Sequence, residues 1–173
     1  DSNYNFGTNP CSEIILRDKE FCNLTEVVVR PEDTPETLFE KVRLAAILGT
    51  WQATLTDFRY LSKEWKTNCE EEALLGVSLT GIMDNAYTNG SYPKWQARVD
   101  GSLTGLLNDL KNIAIDTNKK VAKQLGINPS AAITCVKPSG TVSQLVDASS
   151  GIHARHSPHY IRTVRGDKKD PLC

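Results

Sequence analysis

The sequence has no apolar run near the roughly 20 residues that a membrane-spanning helix needs. Its first residues, Asp1-Ser2-Asn3-Tyr4-Asn5, form neither the basic region nor the apolar stretch of a secretory signal. The expectation is a cytoplasmic protein with no membrane partner. An excess of charge is also missing: 20 Lys+Arg against 21 Asp+Glu leave a formal net charge of -1, which argues against a broad basic face for a nucleic-acid polymer. Any nucleotide site must be local. No two cysteines have CxxC spacing, and the five present, Cys11, Cys22, Cys69, Cys135 and Cys173, are odd in number and far apart. That set fits neither a secreted disulfide framework nor a zinc site. No internal repeat or linker divides the chain, so residues 1–173 read as a single domain, and 39% hydrophobic with 24% charged residues is a globular composition.

The patterning predicts an α/β fold. Ser12–Arg17 and Phe21–Val29 are apolar and β-branched about the polar Asp18-Lys19-Glu20, which predicts a β-hairpin that carries Cys11 and Cys22 to the same end of the ribbon. After Pro31, Asp33 or Thr34 can cap a helix with Pro35 in its first turn, and Leu38, Val42, Ala45, Leu48 and Leu55 keep a 3.6-residue period up to about Phe58. Asn68-Cys69-Glu70-Glu71 predicts a second helix running into Ala73–Leu79, with Gly76 and Gly81 allowing close helix packing. A third spans about Leu103–Leu125 and stops at Gly126. Ala131–Val136 reads as a short buried strand, so that the third helix serves as a β-α-β crossover.

Two stretches carry chemistry. The strand at 131–136 runs into Lys137-Pro138-Ser139-Gly140-Thr141-Val142-Ser143, a small-residue turn before a short helix, which is how backbone N–H groups are aimed at a phosphate. Taken alone this is also a common turn. Cys11 and Glu13 alternate about Ser12, so on an extended strand they share one face, but the usual base for a cysteine nucleophile is a histidine, and none occurs in the first 150 residues. His153, His156 and His159 are evenly spaced, yet Pro158 breaks any helix that would align them and no carboxylate or thiolate lies close by in sequence. They are read as a hydrogen-bonding loop above a substrate, with no metal site. Cys69 and Cys135 read as small buried residues.

The string Asn9-Pro10-Cys11-Ser12-Glu13-Ile14, with Cys22-Asn23-Leu24 eleven residues after the first cysteine, resembles the active-site segment of the large catalytic subunit of ribonucleotide reductases. The adenosylcobalamin-dependent class II branch, whose usual form is Asn-Pro-Cys-Gly-Glu-Ile, is nearest, and Ser12 departs from it. Lys137–Ser143 and Ser150–Arg162 resemble the family's substrate-phosphate loop and the segment after it. The resemblance implies that this chain is part of a ten-stranded α/β barrel. It implies that Cys11 holds a thiyl radical generated from adenosylcobalamin, that Glu13 is the general base for the 3′-hydroxyl, and that Asn9 orients the ribose. Cys22 would be one of two thiols that supply reducing electrons. Pro138, Ser139, Gly140, Thr141 and Ser143 would hold the substrate phosphates. It further implies a ribonucleotide substrate, a thioredoxin-like thiol reductant, and another polypeptide supplying the rest of the barrel. Cys173 is compatible with a remnant of the family's redox tail, although one cysteine cannot form the pair. Two other readings stay open: a non-catalytic nucleotide-binding fragment, and a thiol-redox module using Cys11 and Cys22 without nucleotide.

Overall fold

A computed structural model describes residues 5–91, 102–161 and 163–171. Its elements in chain order are β1 (Phe6–Thr8), β2 (Ile15–Arg17), β3 (Asn23–Val28), α1 (Pro35–Gln52), α2 (Lys63–Glu72), β4 (Leu75–Thr80), a short 3-10 turn (Ile82–Asp84), α3 (Leu103–Leu125) and α4 (Thr141–Leu145). The fold is α/β, as expected.

Two helices form where the sequence signals them. Thr34 caps α1 in a reciprocal box with Thr37, and Pro35 occupies the first turn. Leu38, Val42, Ala45 and Ala46 of α1 are buried. The helix ends at Gln52 rather than near Phe58, the backbone passing into turns from Trp51 to Thr54 and Gln52 to Leu55; Leu55 therefore lies beyond it, and Leu48, within it, is exposed rather than on the buried face. Ser102 caps α3 by accepting the Gly105 N–H at 3.0 Å, and Gly126 ends it at φ +71. The two helices pack together through Leu106, Leu110 and Ala114. They also share a buried polar contact: Asn118 Nδ2 donates to Thr50 Oγ1 at 3.0 Å and to Ser130 Oγ at 2.9 Å, and Asn118 Oδ1 accepts the Ser130 N–H.

Two expectations are corrected. The segment 75–80 is not the continuation of a helix. The second helix starts earlier, at Lys63, and ends at Ala73 in the left-handed conformation (φ 45), after which Leu75–Thr80 form β4. Five of its six residues are buried, the signature of a strand covered on both faces, and a short apolar run of that kind carries no period that separates it from a helix. The hairpin is also elsewhere: β2 pairs antiparallel with β1 (Gly7↔Leu16), and β3 pairs parallel with β4 (Leu24↔Gly76). The turn after Arg17 does exist, with Lys19 at φ 57 and the Arg17 N–H donated to Glu20 Oε2 at 2.8 Å. It turns the chain into a sheet covered by α1 rather than back onto β2. There Val27 and Val29 are buried.

The segment 131–136 joins this sheet on the other side of β4. Val77↔Thr134 is a parallel bridge, and the Val77 N–H donates to Ile133 O at 2.8 Å and the Cys135 N–H to Val77 O at 3.1 Å. Thus β4 is the central strand, β3 flanks it on one side and 131–135 on the other, with α1 and then α3 lying within the crossovers. Among the described residues the strands number four, in two pairs, and they do not by themselves make a ten-stranded barrel.

Gly81 turns the chain out of β4 at φ +78, and a Cβ there would collide with the Val29 carbonyl oxygen. Gly81→Ala is therefore expected to cost about 2–3 kcal/mol, from left-handed strain together with a backbone clash, read as a lower urea midpoint with unchanged m-value.

Candidate active site

The residues from Asn9 to Ile14 form the tip of the β1–β2 hairpin. The Asn9 side chain closes it: its Oδ1 accepts the Ile14 N–H at 3.0 Å, while its backbone N–H donates to Ile14 O at 3.2 Å and its backbone carbonyl accepts the Ser12 N–H at 2.9 Å. Ser12 sits at φ 62. The segment is thus a turn and not an extended strand, so the strand-alternation argument for Cys11 and Glu13 does not hold, yet the turn delivers both to one place. Ser12 also holds a conformation that glycine adopts without strain, which explains why the resembling motif carries Gly there.

Cys11 is exposed at the tip as a free thiol. Glu13 points inward, with its side chain 1% exposed, and its Oε1 lies 2.9 Å from Lys137 Nζ, across 124 residues of sequence. Its second oxygen, Oε2, is buried with no hydrogen-bond partner among the described residues. Burial pushes the Glu13 carboxyl up, but the Lys137 ammonium, the backbone amide and the Asn9 side chain outweigh it and hold the group below the ordinary glutamate value. Cys11, Glu13, Lys137, Pro138, Gly151 and His153 line one pocket of about 220 Å³. The two sequence motifs therefore meet.

Lys137 is placed by the sheet, its N–H donating to Ser78 Oγ at 2.9 Å. In the loop that follows, the Ser139 hydroxyl donates to Glu26 Oε2 at 3.0 Å and Ser143 Oγ to Gly140 O at 2.6 Å, so both hydroxyls are engaged within the protein. Pro138, Gly140 and Thr141 are exposed. The next motif folds over this loop: Ser150 Oγ donates to Ser139 O, and the Gly151 N–H donates to Thr80 Oγ1 at 2.9 Å. Arg155 is pinned between Asp84 (3.0 Å) and Asp147 (2.9 Å). His153 reaches the Cys11 pocket and His156 lines a different one with Arg155 and Tyr160. Arg162 and Cys173 lie outside the described residues.

Cys22 stands immediately before β3, half-buried and free. Its thiol is raised above the ordinary cysteine value by burial and next by the Glu13 charge. Cys135 is raised to about 11 by burial, then by Glu13 and Cys22. The sequence reading missed two things here: that Cys135 belongs to this electrostatic group, and that Lys137 pairs with Glu13. The only signal was the position of Lys137 directly before the Pro-Ser-Gly-Thr turn. Cys69 is structural, its Sγ accepting the Phe21 N–H at 3.3 Å.

No protein-family description matches the chain. Individual relatives do. The adenosylcobalamin-dependent ribonucleoside-triphosphate reductase of Lactobacillus acidophilus is 31% identical over 96% of this chain, and that of Lactobacillus leichmannii 28% over 96%. A crystal structure of a B12-dependent class II ribonucleotide reductase superposes on 88% of this chain at TM-score 0.66 with 27% identity. The relatives are adenosylcobalamin-dependent ribonucleotide reductases. This chain spans about a quarter of their length, 24% of each of the two curated reductases and 23% of the solved one.

The hairpin that presents Cys11 is docked on α2. Arg17 pairs with Glu71 (2.8 Å) and Glu72 (2.5 Å), Lys19 pairs with Glu64, and Phe21 stacks on Trp65 with ring centroids 4.6 Å apart. Glu20 is buried within this contact, and burial first, then the Glu72 charge, push its carboxyl up to about 7 against the Arg17 N–H that favours ionisation. The folded state thus holds a proton that the unfolded chain releases near pH 4.5, and stability falls as pH rises from about 4.5 to 7. Glu20→Gln should flatten that window and raise stability at pH 8 by on the order of 2 kcal/mol, measured by urea unfolding at a series of pH values.

Proposed function

We propose that this chain carries the thiyl-radical site of an adenosylcobalamin-dependent ribonucleotide reductase, reducing ribonucleotides to 2′-deoxyribonucleotides together with the rest of the catalytic barrel. The observation that carries this reading is the single pocket in which the exposed Cys11 thiol, the buried Glu13 carboxylate and the Lys137-Pro138 edge of the second motif converge.

In this reading Cys11, at the rigid tip of its hairpin, removes the 3′-hydrogen of the ribose. Glu13 takes the proton of the 3′-hydroxyl, and a buried carboxylate with one bare oxygen is suited to do so. Asn9 fixes the turn and orients the sugar. Cys22 gives a proton to the departing 2′-hydroxyl, which leaves as water, and two thiols become one disulfide, so that two electrons reach the sugar. The pocket of about 220 Å³ has room for a sugar and not for a corrin ring. Among the described residues this pocket would offer adenosylcobalamin the Cys11 thiol alone. When bound, adenosylcobalamin supplies the unpaired electron that Cys11 carries.

For the phosphates, Gly140 and Thr141 offer an exposed backbone and hydroxyl and Pro138 shapes the pocket edge. Ser139 and Ser143, whose hydroxyls are already bonded, brace the loop.

The second electron-donating thiol is not Cys135. Cys22 precedes the strand on one side of β4 and Cys135 lies on the other. Two inter-strand spacings make about 9–10 Å, and Cα atoms more than about 7 Å apart cannot be bridged by a disulfide. In the proposed assembly the partner thiol, like the reductant that regenerates it, is a group other than Cys135.

The test is deoxynucleotide formation from a ribonucleoside triphosphate with adenosylcobalamin and a dithiol, using this chain complemented by the remaining reductase sequence. Cys11→Ala and Cys22→Ala are expected to lower turnover by at least about a thousandfold, and Glu13→Gln by about 10²–10⁴-fold. Wild-type turnover in Cys11→Ala would overturn the proposal.

A further inference from the structure

Glu13 has one oxygen tied and one bare. Lys137 Nζ holds Oε1 at 2.9 Å, the ammonium remaining 27% exposed, while Oε2 is buried without a partner among the described residues. The lysine has no freedom to choose this contact casually: its backbone N–H is bonded to Ser78 Oγ in β4, and Gly151, whose Cβ would come within 3.2 Å of Lys137 O, closes over it. Burial should drive the carboxyl toward its neutral form, and among the described residues the Lys137 ammonium is the cation paired against it. We propose that Lys137 is the positioning residue for Glu13: it fixes one carboxylate oxygen, keeps the group ionised in its buried place, and leaves Oε2 as the atom that takes a substrate hydroxyl proton.

This inference rests on the reading of Glu13 as the general base, and it assigns Lys137 a role other than binding phosphate. The groups that act on the pair come from every side. Asn9 and the backbone amide of Glu13 lie on its own turn, Cys22 and Cys135 flank β4, Cys11 and Glu26 act on the lysine, and His153 lines the same pocket. Among these Lys137 is the neighbour whose fixed positive charge favours the carboxylate. Its own proton is held more firmly in return, chiefly through the hydrogen bond it donates to the Glu13 carboxylate. Because a lysine stays charged well past neutrality and the carboxyl is held below its ordinary value, both members are charged around neutrality, and the pair is lost only on the acid side, when the carboxyl takes up a proton.

The discriminating experiment follows the Glu13 carboxyl directly. Infrared difference titration of the full chain, with the band assigned by its loss in Glu13→Gln, is carried out on the wild type, Lys137→Met and Lys137→Arg, with circular dichroism confirming that each variant is folded. The Glu13 midpoint should rise by about one pH unit or more in Lys137→Met and stay within about 0.3 unit of wild type in Lys137→Arg. In the complemented enzyme, the acid limb of kcat/KM should move up by the same amount in Lys137→Met, with the fall concentrated in kcat and KM changing less than about threefold. An unmoved Glu13 midpoint in folded Lys137→Met would overturn the proposal. So would a KM raised tenfold or more with an unchanged acid limb, which is the signature of a phosphate ligand. Full activity in Glu13→Gln would instead overturn the reading of Glu13 as the base, and the titration would still decide whether Lys137 holds it.

Discussion

The site depends on a side chain that is absent. At Gly76, in the middle of β4, a Cβ would collide with Leu24 Cδ2 and come to 3.0 Å from Cys135 Sγ and 3.1 Å from Ile14 Cδ1. Those three residues belong to three different segments, and each is a near neighbour of a residue in the proposed chemistry: Ile14 follows Glu13, Leu24 comes two after Cys22, and Cys135 comes two before Lys137. Close packing at one glycine therefore sets the mutual distances of the proposed base Glu13, the proposed reducing thiol Cys22 and Lys137, because interiors at native density transmit even a one-methyl displacement. The hydrogen-bond ladder alone would fix β3 and 131–135 against β4, but it would not bring the hairpin tip down onto them.

The hairpin resolves a conflict between rigidity and access. Under the proposed function the thiol that carries the radical must be reachable, and Cys11 is exposed, yet that reaction would tolerate little displacement between thiol and sugar. The tip is stiffened locally by the three Asn9 contacts, and the stem is held at its far end by Arg17 and Lys19 on the acids of α2 and by Phe21 on Trp65. Surface ion pairs of this kind are individually weak. Here Arg17, half-buried, bridges two carboxylates next to a stacked aromatic pair, and the arrangement gains its strength from the network rather than from any one bond.

Much of this was legible in the sequence, and the failures have physical causes. Long α3, with its cap at Ser102 and stop at Gly126, and α1, with Thr34 and Pro35, follow local rules that tertiary context had no reason to override. By contrast β4 is buried on both faces, so neither alternation nor a helical period marks it, and the acidic run before it invited a helix that continued too far. The hairpin was misplaced because Phe21–Val29 has strand composition but no code for its partner; the choice between β2 and β4 is made by α1, which covers the parallel sheet. In the site, Cys11, Glu13 and Cys22 were visible as a motif. The Lys137–Glu13 pair was not, since nothing local joins residues 124 apart.

Under the proposed function, the same carboxylate governs both proton transfers. While Glu13 is charged, its field adds to burial in holding the Cys22 thiol above its ordinary value, so Cys22 remains S–H and keeps the proton it must later donate. Lys137 tempers that field at Cys22 and at Cys135 alike, which sets how far the thiols are raised. Once Glu13 takes up the 3′-hydroxyl proton its charge is gone, the penalty on a Cys22 thiolate shrinks, and the thiol becomes a stronger acid at the step in which the 2′-hydroxyl needs protonation. The order of events follows from the electrostatics without any movement of the backbone: removing a proton at one oxygen of the sugar releases the proton required at its neighbour.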